Sequence, residues 1–314
     1  MVACCFSDKI SVRLEESLKE NVFGQHIVAN LVPKALRAHI KKKEPQKALV
    51  IRCDPFPPQD LFIHEVGYFL ILCSLHGWTG AGKNFVSRFI AEALFSKGLA
   101  SSFVHLFIST LHFPHADMAD VYRLRVQDWI RGNVTNCAAS LFIFDEVDKM
   151  PVGMIDGIKP FIDHHTKVEG VDFRRSIFLF LSNTGGRDIT KEALKVWEGG
   201  RVRESLEYTD LEHLVNKGAF NELGGLQHSS LIDSSLIDVF LPFLPLERRH
   251  VKLCVEKEAS RRNISLTSEQ VGEVTDSLVY WPKDTQLFST TGCKRVANKL
   301  DLVEEAMEEN DNLV

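Results

Sequence analysis

Two short stretches of this 314-residue chain carry residue types that handle phosphate and metal. The first, Gly77-Trp78-Thr79-Gly80-Ala81-Gly82-Lys83-Asn84, has the form Gly-x-x-x-x-Gly-Lys, with asparagine where serine or threonine is usual. Glycines at that spacing let backbone N–H groups turn inward around phosphate oxygens. The helix that follows adds its dipole, and the lysine reaches the β- and γ-phosphates. The last position ordinarily gives a hydroxyl to Mg2+; the amide oxygen of Asn84 is also a hard ligand and can replace it. The second stretch, "LFIFDE", sets Asp145 and Glu146 at the end of an apolar run. Adjacent carboxylates there divide the labour: Asp145 would hold the Mg2+ shell, and Glu146 would polarise an attacking water as general base. A third apolar run ends in Ser182-Asn183, where an amide could orient that water. Singly, each has a plain structural reading, as a turn asparagine or a pair of solvated charges. Three run ends carrying a phosphate loop, Asp-Glu and Asn in order is the informative fact.

These groups need a scaffold that brings run ends together. "VHLFIST" (104–110), "SLFIFDEVDK" (140–149) and "SIFLFLSN" (176–183) are continuous apolar runs, as expected of parallel strands covered on both faces. Helical patterns lie between them, "ADMADVYRLRVQDWIRG" being the clearest, so the alternation predicts βαβ units and a parallel sheet. Such sheets bind ligands at their carboxyl edge. A fourth run, "LIDVFLPFLPL" (236–246), predicts a strand that closes the domain at Pro242 and Pro245. A short polar helix is expected over about Ile10–Lys19. A second follows from apolar residues at Ile27, Val28, Leu31, Val32, Leu36 and Ile40, stopped by Lys41-Lys42-Lys43 and Pro45. The remainder is charged and helical, with "LERRHVKLCVEKEASRR" and "GCKRVANKLDLVEEAMEEN" as two helices. The division is therefore 1–246 for an α/β nucleotide-binding domain and 247–314 for a helical lid.

Composition narrows the partners. A net charge of −5 argues against a bulk nucleic-acid binder. The seven cysteines are too sparse for a disulfide scaffold and form no Cys-x-x-Cys, which argues against a zinc site. No basic n-region with a following apolar run is visible at the start, and no run is long enough to span a bilayer. Two acceptor sequons, Asn133-Val134-Thr135 and Asn263-Ile264-Ser265, would matter only in a secreted chain, as a glycoprotein.

The segments "FGQH", "SLHGWTGAGKNFVS", "LHFPH", "WIRGNVTNCA", "LFIFDEVDKM", "IKPFIDHH", "FLSNTGG", "HSSLID", "FLPFLPLERRHVKLC" and "FSTTGCK" together resemble the torsin family of AAA+ ATPases, relatives of Clp-type remodelling ATPases. The Gly-Lys-Asn ending, the preceding "HGW" and the terminal "GCK" are all torsin-like peculiarities. The resemblance implies a doubly wound parallel-sheet P-loop AAA+ domain with a small C-terminal helical lid, and ATP and Mg2+ as cofactors. It implies Gly77, Gly80, Gly82, Lys83 and Asn84 as Walker A, Asp145 and Glu146 as Walker B, Asn183 as sensor 1 and Lys294 as sensor 2. Trp78, Thr79 and Ala81 complete the phosphate loop, and Gly24-Gln25-His26 would lie near the adenine. Cys254 and Cys293 resemble the family's redox-responsive pair, and Cys4, Cys5 and Cys137 fall at torsin cysteine positions.

Torsins lack the arginine finger that a neighbouring AAA+ subunit would supply. The resemblance therefore implies an activator in trans, the lumenal domain of a single-span membrane protein of the endoplasmic reticulum or nuclear envelope. It implies feeble ATP hydrolysis by the isolated chain, a homo- or hetero-oligomeric ring, peripheral membrane association, and remodelling of partners at those membranes. Arg174, Arg175, Arg201 and Arg203 sit in charged loops and are read as solvated rather than as local substitutes. Two other functions fit fewer features: a nucleotide-gated binding module or inactive isoform, and another P-loop enzyme such as a kinase.

Two departures stand out. "QKALVI" is separated from "SLHGW" by residues 52–73, and the segment back-translates with a splice donor at Arg52-Cys53 and a pyrimidine-rich acceptor ending at Cys73-Ser74. Removing it stays in frame and restores "QKALVISLHGW", so it reads as a retained intron, a surface loop insertion being the alternative. If it is present, "YFLILCSL" rather than "ALVI" should form the central strand, being covalently adjacent to the phosphate loop, and Pro55, Pro57 and Pro58 should lie in a loop outside the sheet. The chain also begins about where a mature torsin domain would, so either a first exon is missing, which is the favoured reading, or the isoform stays cytosolic.

Overall fold

The computed structural model describes residues 10–41, 72–163, 165–233, 236–237 and 239–311. Two helices, α1 (Ile10–Asn21) and α2 (His26–Ile40), precede strand β1 (Leu72–Gly77) and helix α3 (Lys83–Leu94). Strand β2 (Val104–Ile108) leads through a single turn, α4 (Ser109–His112), to α5 (Ala119–Asn136) and strand β3 (Leu141–Asp145). After a turn of helix, α6 (Lys159–Ile162), come β4 (Ile177–Ser182), α7 (Gly186–Glu198), α8 (Tyr208–Asn221), the turn α9 (Ser230–Asp233) and β5 (Val239–Phe243). The remainder is α10 (Arg248–Arg262), α11 (Ser268–Asp276), the two-residue strands β6 (Tyr280–Trp281) and β7 (Phe288–Ser289), and α12 (Val296–Asp311).

Five parallel strands make one sheet in the order β2-β3-β4-β1-β5. Every residue of β4 is buried, and so are the first four of β3, because helices cover both faces; this is why those runs show no polar alternation. Edge strand β2 alternates instead, with Leu106 44% exposed between buried His105 and Phe107. Pro242 is tolerated in β5 because that strand is the opposite edge, where a missing N–H breaks no ladder. Strand β1 runs between β4 and β5 and begins at Leu72; the rest of the segment expected to form it, and "ALVI", lie outside the described residues.

Beneath the phosphate loop the sheet contains a polar pocket. His76 is wholly buried, with Nε2 on Ser74 Oγ at 2.6 Å and Nδ1 on Thr184 O at 3.1 Å. Burial pushes its pKa down to about 4, so the imidazole is neutral: one nitrogen donates to the carbonyl and the other accepts from the serine. The network ties β1 to the segment just after β4.

The packing changes at the end of β5. Residues through Leu244 belong to the large core, whereas Leu246, Val251, Val255, Val271, Val274, Leu278, Tyr280, Val296 and Leu300 form a second, smaller cluster. Phe288 of β7 is buried in the large core, so the lid is keyed into the body. Among the described residues, no helix is long and apolar enough to cross a membrane.

Candidate nucleotide site

The loop from β1 to α3 has the backbone a phosphate cradle needs. Gly80 has φ +74°, and a Cβ there would stand 1.8 Å from Thr291 O, so only glycine permits this approach of lid to loop. Gly82, at φ +108°, turns the chain into α3. Lys83 is the first residue of that helix and is 7% exposed. Its Nζ donates to Gly77 O at 2.6 Å, Trp78 O at 3.1 Å and Asn183 Oδ1 at 3.0 Å. Burial pushes its pKa down to about 8, with the fields of Asp148 and Asp145 opposing. A buried ammonium held only by neutral oxygens, at the mouth of a glycine loop and a helix N-terminus, is a fitting seat for phosphate.

Asp145 closes β3, and its Oδ2 accepts from Asn84 Nδ2 at 2.5 Å. Burial raises its pKa, partly offset by that hydrogen bond. The two residues chosen for Mg2+ therefore touch, and a cation between them would require the Asn84 amide to turn its oxygen inward. Glu146 adopts left-handed φ 56° and ψ 43°, and its Oε2 accepts from Thr110 Oγ1 at 2.6 Å. Asn183 follows β4, with its Oδ1 toward Lys83 and its nitrogens toward Asp148.

These groups face one cavity of about 520 Å³, between the sheet edge and the lid. Thr79 to Asn84, Asp145, Glu146 and Asn183 line one side; Cys254, Lys257, Cys293 and Lys294 line the other. Cys254 and Cys293 form a disulfide, with Cα atoms 6.2 Å apart, that joins α10 to the loop before α12. Cys137 is also disulfide-bonded, while Cys4 and Cys5 lie outside the described residues. The lid clasps the phosphate loop directly: Trp78 Nε1 donates to Thr290 O at 2.7 Å, and Cys293 N to Gly80 O at 3.3 Å.

Toward the helical wall the cavity is lined by Asn21, Val22 and Phe23, rather than by Gly24, Gln25 or His26. Gln25 lies behind the loop, 2% exposed, donating to Ala81 O at 3.0 Å and Leu244 O at 2.8 Å and accepting from Leu244 N at 2.9 Å. His26 bonds Leu206 O at 2.8 Å. Gln25 thus braces the phosphate loop against β5.

Arg203 corrects the reading of the loop arginines. It is 6% exposed, and its guanidinium donates to Gly24 O, Pro245 O and Glu247 Oε1. It pins the turn between α1 and α2 to the start of the lid. Burial lowers its pKa only to about 10, so it stays charged. Arg174 is held by Asp172 at 2.6 Å. Sequence reasoning also passed over Asp148 and Thr110; both lie inside quoted segments, but nothing in their spacing shows which neighbour they face.

A family model for torsins matches residues 1–56 and 65–144, breaking inside the 52–73 segment, and one for the Torsin-1A C-terminal domain matches residues 246–303. Among solved structures, Hsp104 with ATPyS and FITC casein in a closed state superposes with TM-score 0.62 at 14% identity, over 97% of this chain and 49% of that one. The S. cerevisiae Hsp104-ADP complex gives 0.59 at 16%, with the same coverage. The chain thus spans about half the length of those Hsp104 chains, and the likeness is one of fold. With both ends matched by torsin models, the chain belongs to the torsin family of AAA+ ATPases.

Proposed function

We propose that this chain binds ATP with Mg2+ and hydrolyses it when a partner in trans completes the site. The carrying observation is the convergence of Lys83, Asp145, Glu146, Asn183 and Lys294, from four separate parts of the chain, on one cavity. The glycine loop, Lys83 and Lys294 would hold the phosphates, and Asn84 and Asp145 the cation. Bound there, Mg2+ would neutralise charge on the phosphate oxygens. Glu146 would accept a proton from water as its oxygen bonds to the γ-phosphorus and the bond to the β,γ-bridging oxygen breaks.

Feeble unaided turnover follows from two features. Glu146 is tied to Thr110, and Lys83 to Asn183 and two carbonyls, so both must exchange partners. Among the described residues lining the cavity there are three lysines and no arginine. An arginine supplied by the lumenal domain of a single-span membrane protein would stabilise charge on the transferred group, worth roughly 10³–10⁵ in rate. We place the chain in the endoplasmic reticulum or nuclear envelope, in a ring of like subunits that remodels protein or membrane partners. The domains divide at residues 246 and 247. The 52–73 segment is read as a retained intron: without it Val50 and Ile51 would stand where Leu72 and Cys73 now enter β1, apolar for apolar.

The test measures hydrolysis by this chain and by one lacking residues 52–73, each with and without the activator domain. Stimulation of the shortened chain by about 10³ or more is expected. Failure of both chains to bind ATP or respond would overturn the reading; equal stimulation of both would make the segment a tolerated loop.

A further inference from the structure

After the left-handed kink at Glu146, the turn Val147–Lys149 presents a further carboxylate, Asp148, to the end of β4. Its side chain is 9% exposed. The turn is held from behind: Gly225 N donates to Val147 O at 2.9 Å, and a Cβ on Gly224 (φ +145°) would come within 2.7 Å of Asp148 Cα. From this seat Asp148 accepts both donors of Asn183. The backbone N–H reaches Oδ1 at 3.1 Å, and the side-chain NH2 lies 3.2 Å from each carboxylate oxygen. Lys149 Nζ, on the solvent side, stands 3.6 Å from Oδ2.

The two ends of an asparagine amide have nearly the same shape and opposite hydrogen-bonding roles, so shape does not choose which faces the cavity. Charge does. A carboxylate only accepts, which turns the Asn183 NH2 toward Asp148, and an ammonium only donates, which matches Asn183 Oδ1 to Lys83 Nζ at 3.0 Å. Both neighbours select the same orientation.

We propose that Asp148 is a positioning residue for ATP hydrolysis: by taking both N–H groups of Asn183 it aims Asn183 Oδ1 into the cavity as an acceptor. The inference rests on the ATPase reading above. In the reaction the attacking water gives one hydrogen to Glu146, its oxygen bonds to the γ-phosphorus as the β,γ-bridging bond breaks, and its second O–H is held by Asn183 Oδ1. Asparagine at position 148 has the same size but both a donor and an acceptor, so the Asn183 amide could turn over and present NH2 to that water.

With the activator domain present, Asp148→Asn should lower kcat about 10- to 100-fold, as a misplaced water would, while the ATP-Mg Kd stays within about threefold of wild type. The retained Kd also reports folding, and the smaller Asp148→Ser is a second variant with the same expectation. Asn183→Ala should fall similarly, and Asp148→Asn/Asn183→Ala should be no slower than Asn183→Ala alone, because one residue acts through the other. Unchanged kcat in Asp148→Asn, or single effects that multiply, would overturn the proposal. A readout free of turnover is the Asn183 side-chain amide resonance in ¹⁵N-asparagine-labelled chain, assigned with Asn183→Ala. It should move in Asp148→Asn, and a fixed resonance would also overturn the proposal. Absence of activator-stimulated turnover in wild type, with the resonance moving, would overturn the ATPase reading and the catalytic use of the pair, while the pairing itself would stand.

Discussion

Phe142, Phe144, Phe178 and Phe180 are wholly buried in the middle of the sheet, whereas lid helix α10 buries only His250, Val251, Val255 and Ala259 of its 15 residues. The sheet body coheres by area removed from water, which is non-directional and spread over many side chains. The lid has only a smaller apolar cluster and adds to it a few named pairings: the Cys254–Cys293 disulfide, Arg262 reaching Glu258, Asp301 and Glu304, and Arg248 beside Asp276 and over the Tyr280 ring. Body and lid meet by both means and by one more: Phe288 is buried in the large core, Arg203 pairs with Glu247, and the backbone of Gly80 abuts Thr291 and Gly292. Losing one pairing should therefore loosen the lid locally, whereas the body should yield only to changes in its buried core.

The sharpest way to test the body side is Lys83→Met, since Lys83 is the charge buried at the candidate site. ATP affinity should fall about 100-fold or more, the loss of charge-assisted contacts to phosphate. The ligand-free chain should respond to pH in a defined sense. With the folded pKa down to about 8 from an ordinary 10.5, the unfolded chain holds more protons between those values. Stability should rise with pH across that window, by an amount of order 3 kcal/mol. Denaturant titrations at pH 8 and 10.5 should show this rise in wild type and its loss in Lys83→Met; an equal rise in both would assign the slope to other groups.

On the lid side, reducing Cys254–Cys293 opens a link across 39 residues and should cost about 2–4 kcal/mol. Hydrogen exchange should quicken in α10 and α12 and stay slow in β1, β3 and β4. Equal quickening in the sheet would break the comparison, showing that lid and body unfold together. The smallest effect is expected for Arg262→Ala: its partners are part exposed, so the loss should stay near 1 kcal/mol. A urea midpoint shift well beyond that would mean the ion cluster acts as one unit.

Much of this was legible in advance for a physical reason. A strand covered on both faces must be apolar throughout, so "LFIF" and "IFLFL" announce themselves, and the phosphate loop is local, each glycine answering to its own dihedral angles. Asp145, Glu146 and Asn183 could be named because they stand where such strands end. The partners of polar side chains were not legible. Arg203 reads as one more arginine in a charged loop, yet it is buried against Gly24 O, 179 residues away in the chain. Gln25 meets Leu244 across 219 residues.

What the amino-acid sequence determined by itself, then, was the parallel sheet, the glycine loop and the residue types at the candidate site, because periodicity, glycine freedom and helix start signals act over a few residues. Tertiary structure alone decided which groups touch: Asp148 with Asn183, Thr110 with Glu146, Trp78 with Thr290. Those meetings depend on the strand order β2-β3-β4-β1-β5, which sets ends of distant segments side by side, and on a lid held by sparse pairings over the loop. A hydrogen bond needs its partner within about 3 Å, and only the folded chain sets that distance.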